Sequence, residues 1–141
     1  MSDNDLRQLV EDIFAMISSG DFSKAGDLIA DDYVEHSPLG ELHGVDGFIQ
    51  LISVFRGGFP DLDVRAVDIL VEGDRAAWRV EGTGTHTGDL MGIPPTGRQV
   101  RLAGIDMGRS RDGKAVEHWT GADMLGMLQQ LGVVPAPGAP A

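Results

Sequence analysis

The apolar residues of this 141-residue chain change their spacing partway along, and that change limits the folds open to it. Leu6, Leu9, Val10, Ile13, Phe14 and Ile17 recur at helical intervals, as do Val45, Phe48, Ile49, Ile52 and Phe55. Beyond Leu62 the dominant pattern is alternation, which marks strands with one face buried. Helices gathered early and antiparallel strands gathered late predict an α+β domain, in which a bent sheet wraps its concave face around helices. Such a sheet leaves a pocket at its open end, where a small apolar ligand binds.

The first helix has Ser2 and Asp3 as capping candidates and stops at Ser18-Ser19-Gly20. Asp21 is the candidate N-cap of a short second helix carrying Phe22, Ala25, Leu28 and Ile29. Tyr33 to His36 reads as an extended segment ending at Ser37-Pro38, with Val34 and His36 on one face. Residues 40–44 form a turn-rich link into the third helix, which Gly57-Gly58 ends. A strand over 62–72 turns through Gly73-Asp74 into a strand over 75–86. On the latter, Ala76, Trp78 and Val80 share a face, and parity carries Gly82, Gly84 and His86 onto it. Residues 87–97 carry too many glycines and prolines for regular structure and read as a loop of the kind that lines or gates sites. Met124, Met127, Leu128 and Leu131 mark a closing helix with Asp123 as its simplest N-cap. The domain therefore spans 1–132, and the Pro, Gly and Ala of 133–141 form an unstructured tail.

Between the loop and the closing helix lies the stretch most suited to chemistry. Arg111-Asp112-Gly113 reads as a three-residue hairpin loop with Gly113 left-handed, setting Ser110 opposite Lys114. That register places Asp106 opposite His118 and Gly104 opposite Thr120, with Gly108 and Val116 on the same face. A carboxylate beside an imidazole in a dry pocket is a candidate acid/base pair for removing a proton next to a carbonyl. The alternative is a structural cross-strand pair without chemistry. The opposite face carries Ile105, Met107, Glu117 and Trp119. Its apolar members would be wet in a monomer covered by helices on one side only, which predicts a homodimer through that face.

Composition removes several functions. A formal net charge of −11 disfavours nucleic acid, whose binding rests on clustered Lys and Arg. No apolar run approaches the roughly 18 residues of a membrane span, and the N-terminus lacks a signal-peptide pattern, so a cytoplasmic protein with no membrane partner is expected. The absence of cysteine rules out disulfides, a thiol nucleophile and thiolate metal sites. The His residues have no HExxH-like spacing, no GxSxG is present, and neither GTG nor GTHTG opens a helix after a strand, so no metal and no cofactor are expected. Parity makes His36 and His86 candidates for the pocket as well as for ordinary hydrogen-bonded histidines. His43 sits in a turn. Trp78 is a candidate for both core and ligand platform.

YVEHSP at 33–38, GVDGF at 44–48, GTHTGDLMGIPPTGR at 84–98, DGKAVEHW at 112–119 and MLQQLG at 127–132 together resemble the SnoaL-like polyketide cyclases of the NTF2-like superfamily, nearly end to end. The resemblance implies a cone-shaped, cystatin-like α+β fold, assembly as dimers or more, and a deep apolar cavity between a curved sheet and the N-terminal helices. It also implies cofactor-free ring closure of a polyketide methyl ester by aldol condensation. In that family the acid/base is an aspartate two residues after the histidine of DGKxxxH, with a second histidine on the preceding strand. Here those positions hold Thr120 and Asp106. A threonine hydroxyl has no accessible ionisation near neutral pH and cannot take the proton. Two readings follow. One is an enzyme acting on a bulky apolar or aromatic carbonyl compound by cyclisation, isomerisation, dehydration or hydrolysis. It has Asp106 and His118 as its acid/base pair and His36, Trp78, His86 and Thr120 against the substrate. The other is a non-catalytic NTF2-like binding or scaffolding protein.

Overall fold

A computed structural model describes residues 2–135 and 137–138. Its elements run α1 (Asp3–Ser19), α2 (Ala25–Leu28), β1 (Ile29–Ser37), β2 (Gly40–His43), α3 (Gly44–Gly58), β3 (Asp63–Glu72), β4 (Arg75–Thr85), β5 (Gln99–Arg111), β6 (Lys114–Trp119) and α4 (Met124–Leu131). The strands form one curved, unclosed sheet in the order β2-β1-β6-β5-β4-β3. Neighbours are antiparallel except β1 and β6, which run parallel. The α+β class is as the sequence predicts. No helix among the described residues is long and apolar enough to cross a membrane.

Local chemistry explains where the helices start and stop. Ser2 and Asp5 form a reciprocal capping box on α1, and Gly20, at φ 72°, ends it. The Arg56 guanidinium then donates to the carbonyls of Ile17 and Ser18, placing a cation at the helix C-terminus. The second helix is shorter than expected. It is a single turn with Lys24 at its N-cap, because Asp21 spends its carboxylate on the Ser23 N–H, and Ile29 opens β1. The supposed link at 40–44 supplies β2, since Gly40 adopts φ 99° and lets Ser37 pair with Gly40 across a tight turn. At α4 the Asp123 carboxylate accepts from the Gly126 N–H, as expected of an N-cap. Of the tail expected over 133–141, Ala136 and residues 139–141 lie outside the described residues.

One core joins the layers. Leu6, Leu9, Val10, Phe14 and Ile17 of α1 meet Phe48, Leu51 and Ile52 of α3 over Tyr33, Val64, Ala76 and Trp78 of the sheet. Ser18 ties the end of α1 to β3, its hydroxyl donating to the Val64 carbonyl and accepting from the Val64 N–H at 2.9 Å each. The 87–97 loop is fastened to the end of α3. The N–H groups of Thr87 and Gly88 both donate to the Gly58 carbonyl, and Leu90 is fully buried against Gly58.

The last hairpin departs from its expected register. Arg111 pairs with Lys114, so the turn is the two-residue Asp112-Gly113, with both φ angles positive at 52° and 80°, as a tight turn between twisted strands requires. A bulge follows: Ser110 pairs with Ala115 but Arg109 with Glu117, leaving Val116 as an extra residue in β6. Turn and bulge each shift the pairing by one residue in the same direction. His118 therefore lies opposite Gly108 and not opposite Asp106, and Gly104 bridges to Ala122 and not to Thr120. Beyond the bulge the combined shift is even, so Asp106, Gly108, His118 and Thr120 keep the face expected of them, whereas the bulge gives the place expected of Val116 on the pocket face to Ala115.

Candidate active site

The concave face of β1, β6, β5 and β4 carries a continuous row of polar and aromatic groups. Glu35 on β1 is the strand partner of His118 on β6, and Trp78 on β4 is the partner of Asp106 on β5. His118 sits between two carboxylates: Nδ1 donates to both oxygens of Glu35 at 2.8 Å, and Nε2 donates to Asp106 Oδ2 at 3.0 Å. With both ring nitrogens facing carboxylates, both carry protons and the ring is an imidazolium. Burial by itself opposes that charge, but the hydrogen bonds to Asp106 and Glu35, together with their negative charges, outweigh it. The His118 pKa is pushed up to about 10.

The two carboxylates are not equivalent. Glu35, 1% exposed, also accepts from the Tyr33 hydroxyl at 2.9 Å and the Thr120 hydroxyl at 3.0 Å. Its acceptor positions are filled, and it is a positioning group for His118. Burial, and then the charge of Glu35, raise the Tyr33 phenol well above its usual pKa, so it stays a donor. Among the described residues Asp106 accepts from His118 and from the Gly121 N–H at 3.0 Å and from no other group, which leaves lone pairs for a ligand. The close approach of β5 to Gly121 requires glycine, since a Cβ there would overlap the Ile105 carbonyl oxygen.

Trp78 lies flat on His118, with ring centroids 5.6 Å apart and planes 4° from parallel. It reaches across Gly108, where a Cβ would come within 3.0 Å of the indole Cη2. The shifted register is what makes this stack, because it places a residue without a side chain opposite His118. In front of the row lies a pocket of about 160 Å³, walled chiefly by apolar side chains including Phe14, Leu51, Val80, Leu102 and Met127. Glu35, Trp78, Asp106, His118 and Thr120 all line it.

The pair Asp106 and His118, expected from the sequence, is thus in hydrogen-bond contact by a diagonal route, and Trp78 and Thr120 border the same space. His36 and His86 do not, which corrects their expected placement. In β1 the inward residues are Tyr33 and Glu35, so alternation turns His36 to the outer face. There it bonds Glu117 at 2.8 Å and stacks on Trp119. That bond holds the Glu117 carboxyl below its ordinary pKa. For His86 parity fails because β4 ends at Thr85. The ring is fully buried behind Phe59, and its Nδ1 accepts from the Thr96 N–H at 3.2 Å. The residue missed by sequence reasoning is Glu35. Its signal was parity with Tyr33, which put an acid on the side of an aromatic core residue.

The family model for SnoaL-like polyketide cyclases matches residues 4–131. Nogalonic acid methyl ester cyclase of Streptomyces nogalater is 30% identical over 125 residues, covering 83% of this chain and 92% of that protein. Among solved structures, TsrD from Streptomyces laurentii superposes with a TM-score of 0.85 at 30% identity, covering 95% of this chain and 99% of TsrD. Wild-type IdmH from Streptomyces antibioticus gives 0.78 at 34% identity, covering 90% and 98%.

Proposed function

The chain belongs to the SnoaL-like polyketide cyclase family, and on that premise we propose that Asp106 removes a proton next to a carbonyl of an apolar, polyketide-like ligand held in the pocket. The observation that carries the reading is the row Glu35, His118, Asp106, in which a buried imidazolium is clamped between a saturated carboxylate and one with lone pairs to spare. The family's aspartate position is Thr120, and Glu35 supplies a carboxylate beside it from the neighbouring strand.

In this reading Asp106 takes the proton and the substrate becomes an enolate. The fixed positive charge of His118, in a water-poor pocket, stabilises the developing negative charge without reorganising. The enolate carbon attacks a second carbonyl of the same molecule, one C–C bond forms, and the resulting alkoxide recovers the proton from Asp106. Nothing is oxidised and nothing leaves. Glu35 and Thr120 hold the imidazolium in place. The similarity to nogalonic acid methyl ester cyclase supports this class of substrate.

The test is Asp106→Asn, which keeps the shape and the Gly121 contact but removes the base. Turnover of an aromatic polyketide methyl ester should fall by about 10²–10⁴ with the fold intact. Unchanged turnover removes Asp106 from the mechanism, and saturable binding by the unaltered chain with no turnover favours a binding protein.

The same proposal includes a homodimer through the outer sheet face. There Ile105 is 67% exposed, and Met107 and the His36–Trp119 stack lie beside it. An uncovered apolar strip on a sheet is the kind of surface that second copies bury.

A further inference from the structure

Trp78 brings to the pocket one feature that the proposed chemistry leaves unused. Its side chain lines the cavity and is 6% exposed, yet the indole Nε1–H is buried with no hydrogen-bond partner among the described residues. A buried N–H left unpaired costs about 1–3 kcal/mol, and few native groups carry that cost without a reason. The ring cannot turn away to find a partner. One face is stacked on His118, the edge of Phe14 meets it at 6.0 Å with planes 84° apart, and the far edge of the benzo ring abuts Gly108. Trp78 is also the strand partner of Asp106, whose carboxylate keeps lone pairs for a ligand.

We propose that the Trp78 Nε1–H is the specificity-determining donor for a ligand carbonyl oxygen, so that the pocket selects ketones over hydrocarbons of the same shape. The inference rests on the pocket being a ligand site, as proposed above, but not on turnover. An apolar body fills the walls. One oxygen completes the indole, and as the carbonyl becomes an enolate the same N–H follows the growing charge. A ligand without that oxygen leaves the donor unpaired, which is how a site built around a buried polar group rejects an analogue that lacks its partner.

The test uses 1-tetralone and tetralin, two bicyclic probes that differ by one carbonyl. In ¹H–¹⁵N spectra of the unaltered protein the indole signals are those of Trp78 and Trp119, and loss of a signal in Trp78→Phe assigns the first. Saturation with 1-tetralone should move the Trp78 indole proton downfield, while tetralin leaves it in place. The ketone should bind about tenfold more tightly, the value of one neutral hydrogen bond, and Trp78→Phe should bring the ratio of the two affinities near one. A Trp78 signal that moves alike with both probes or with neither overturns the proposal, as does a Trp78→Phe protein that keeps the preference. A selective shift in a protein without turnover sinks the chemistry of Asp106 and leaves the donor standing; turnover without a shift does the reverse.

Discussion

Raising the pH from 6.5 to 9.5 should strip stability from this protein in proportion to the clamp on His118. The histidine holds its proton to about 10 when folded, against 6.5 for the unperturbed side chain. Between those values the folded state binds one proton more than the unfolded state, so stability falls as pH rises. Below about 6.5 both states are protonated and the contribution is complete; above the folded pKa it is gone. Each pH step of one costs about 1.4 kcal/mol, so the whole window is worth on the order of 4–5 kcal/mol. That is a large share of the ~5–15 kcal/mol that holds a domain together. Urea titrations at half-unit pH intervals would read the loss. Stopping at 9.5 avoids most of the range in which Tyr33, the single tyrosine of the chain, ionises when unfolded but resists when buried. In parallel, the His118 ring proton followed by NMR should titrate near 10. A flat stability profile from 6.5 to 9.5, or a His118 midpoint near 6.5, would falsify the assignment of His118 as an imidazolium held by two carboxylates.

Two further perturbations probe the interface and the loop. Trp119→Glu places a second acid beside Glu117 on the outer face, and sedimentation at micromolar concentration should show a dimer become a monomer; a monomeric unaltered chain would sink the interface itself. Gly88→Ala drives a methyl group into the Gly57 carbonyl, so the urea midpoint should fall by the equivalent of about 1–3 kcal/mol and amide exchange should rise over 87–97, whereas an unchanged midpoint would mean the loop is not anchored there.

What the sequence revealed of this fold follows from which interactions are local. The stripes of α1, α3 and α4, the Gly73-Asp74 turn and the Asp123 cap are decided within a few residues, and each lies where its spacing placed it. Strand β2 was hidden because its pairing depends on a turn at Pro38-Leu39 and on β1, not on its own four residues. The pairing of Asp106 with His118 was legible as a shared face, since side-chain parity survives any even shift. The partner-by-partner register was not, because a bulge at Val116 has no signature in the letters around it. Glu35 escaped for a related reason. An acid in an alternating segment reads as the solvent side until its pairing with β6, which brings His118 against it, is known.

That bulge makes the orientation of the whole site a question of odd and even. Had only the turn or only the bulge been present, β6 would be displaced by a single residue. Glu117 and Trp119 would then point among the helices, while His118 faced water, turning the wall inside out with no change in composition. A hairpin of this kind can therefore change length without losing its chemistry only when its alterations come in pairs, one at the tip and one along the strand. Two such hairpins with unequal tips are correctly matched by which side each residue faces, not by counting from the turn.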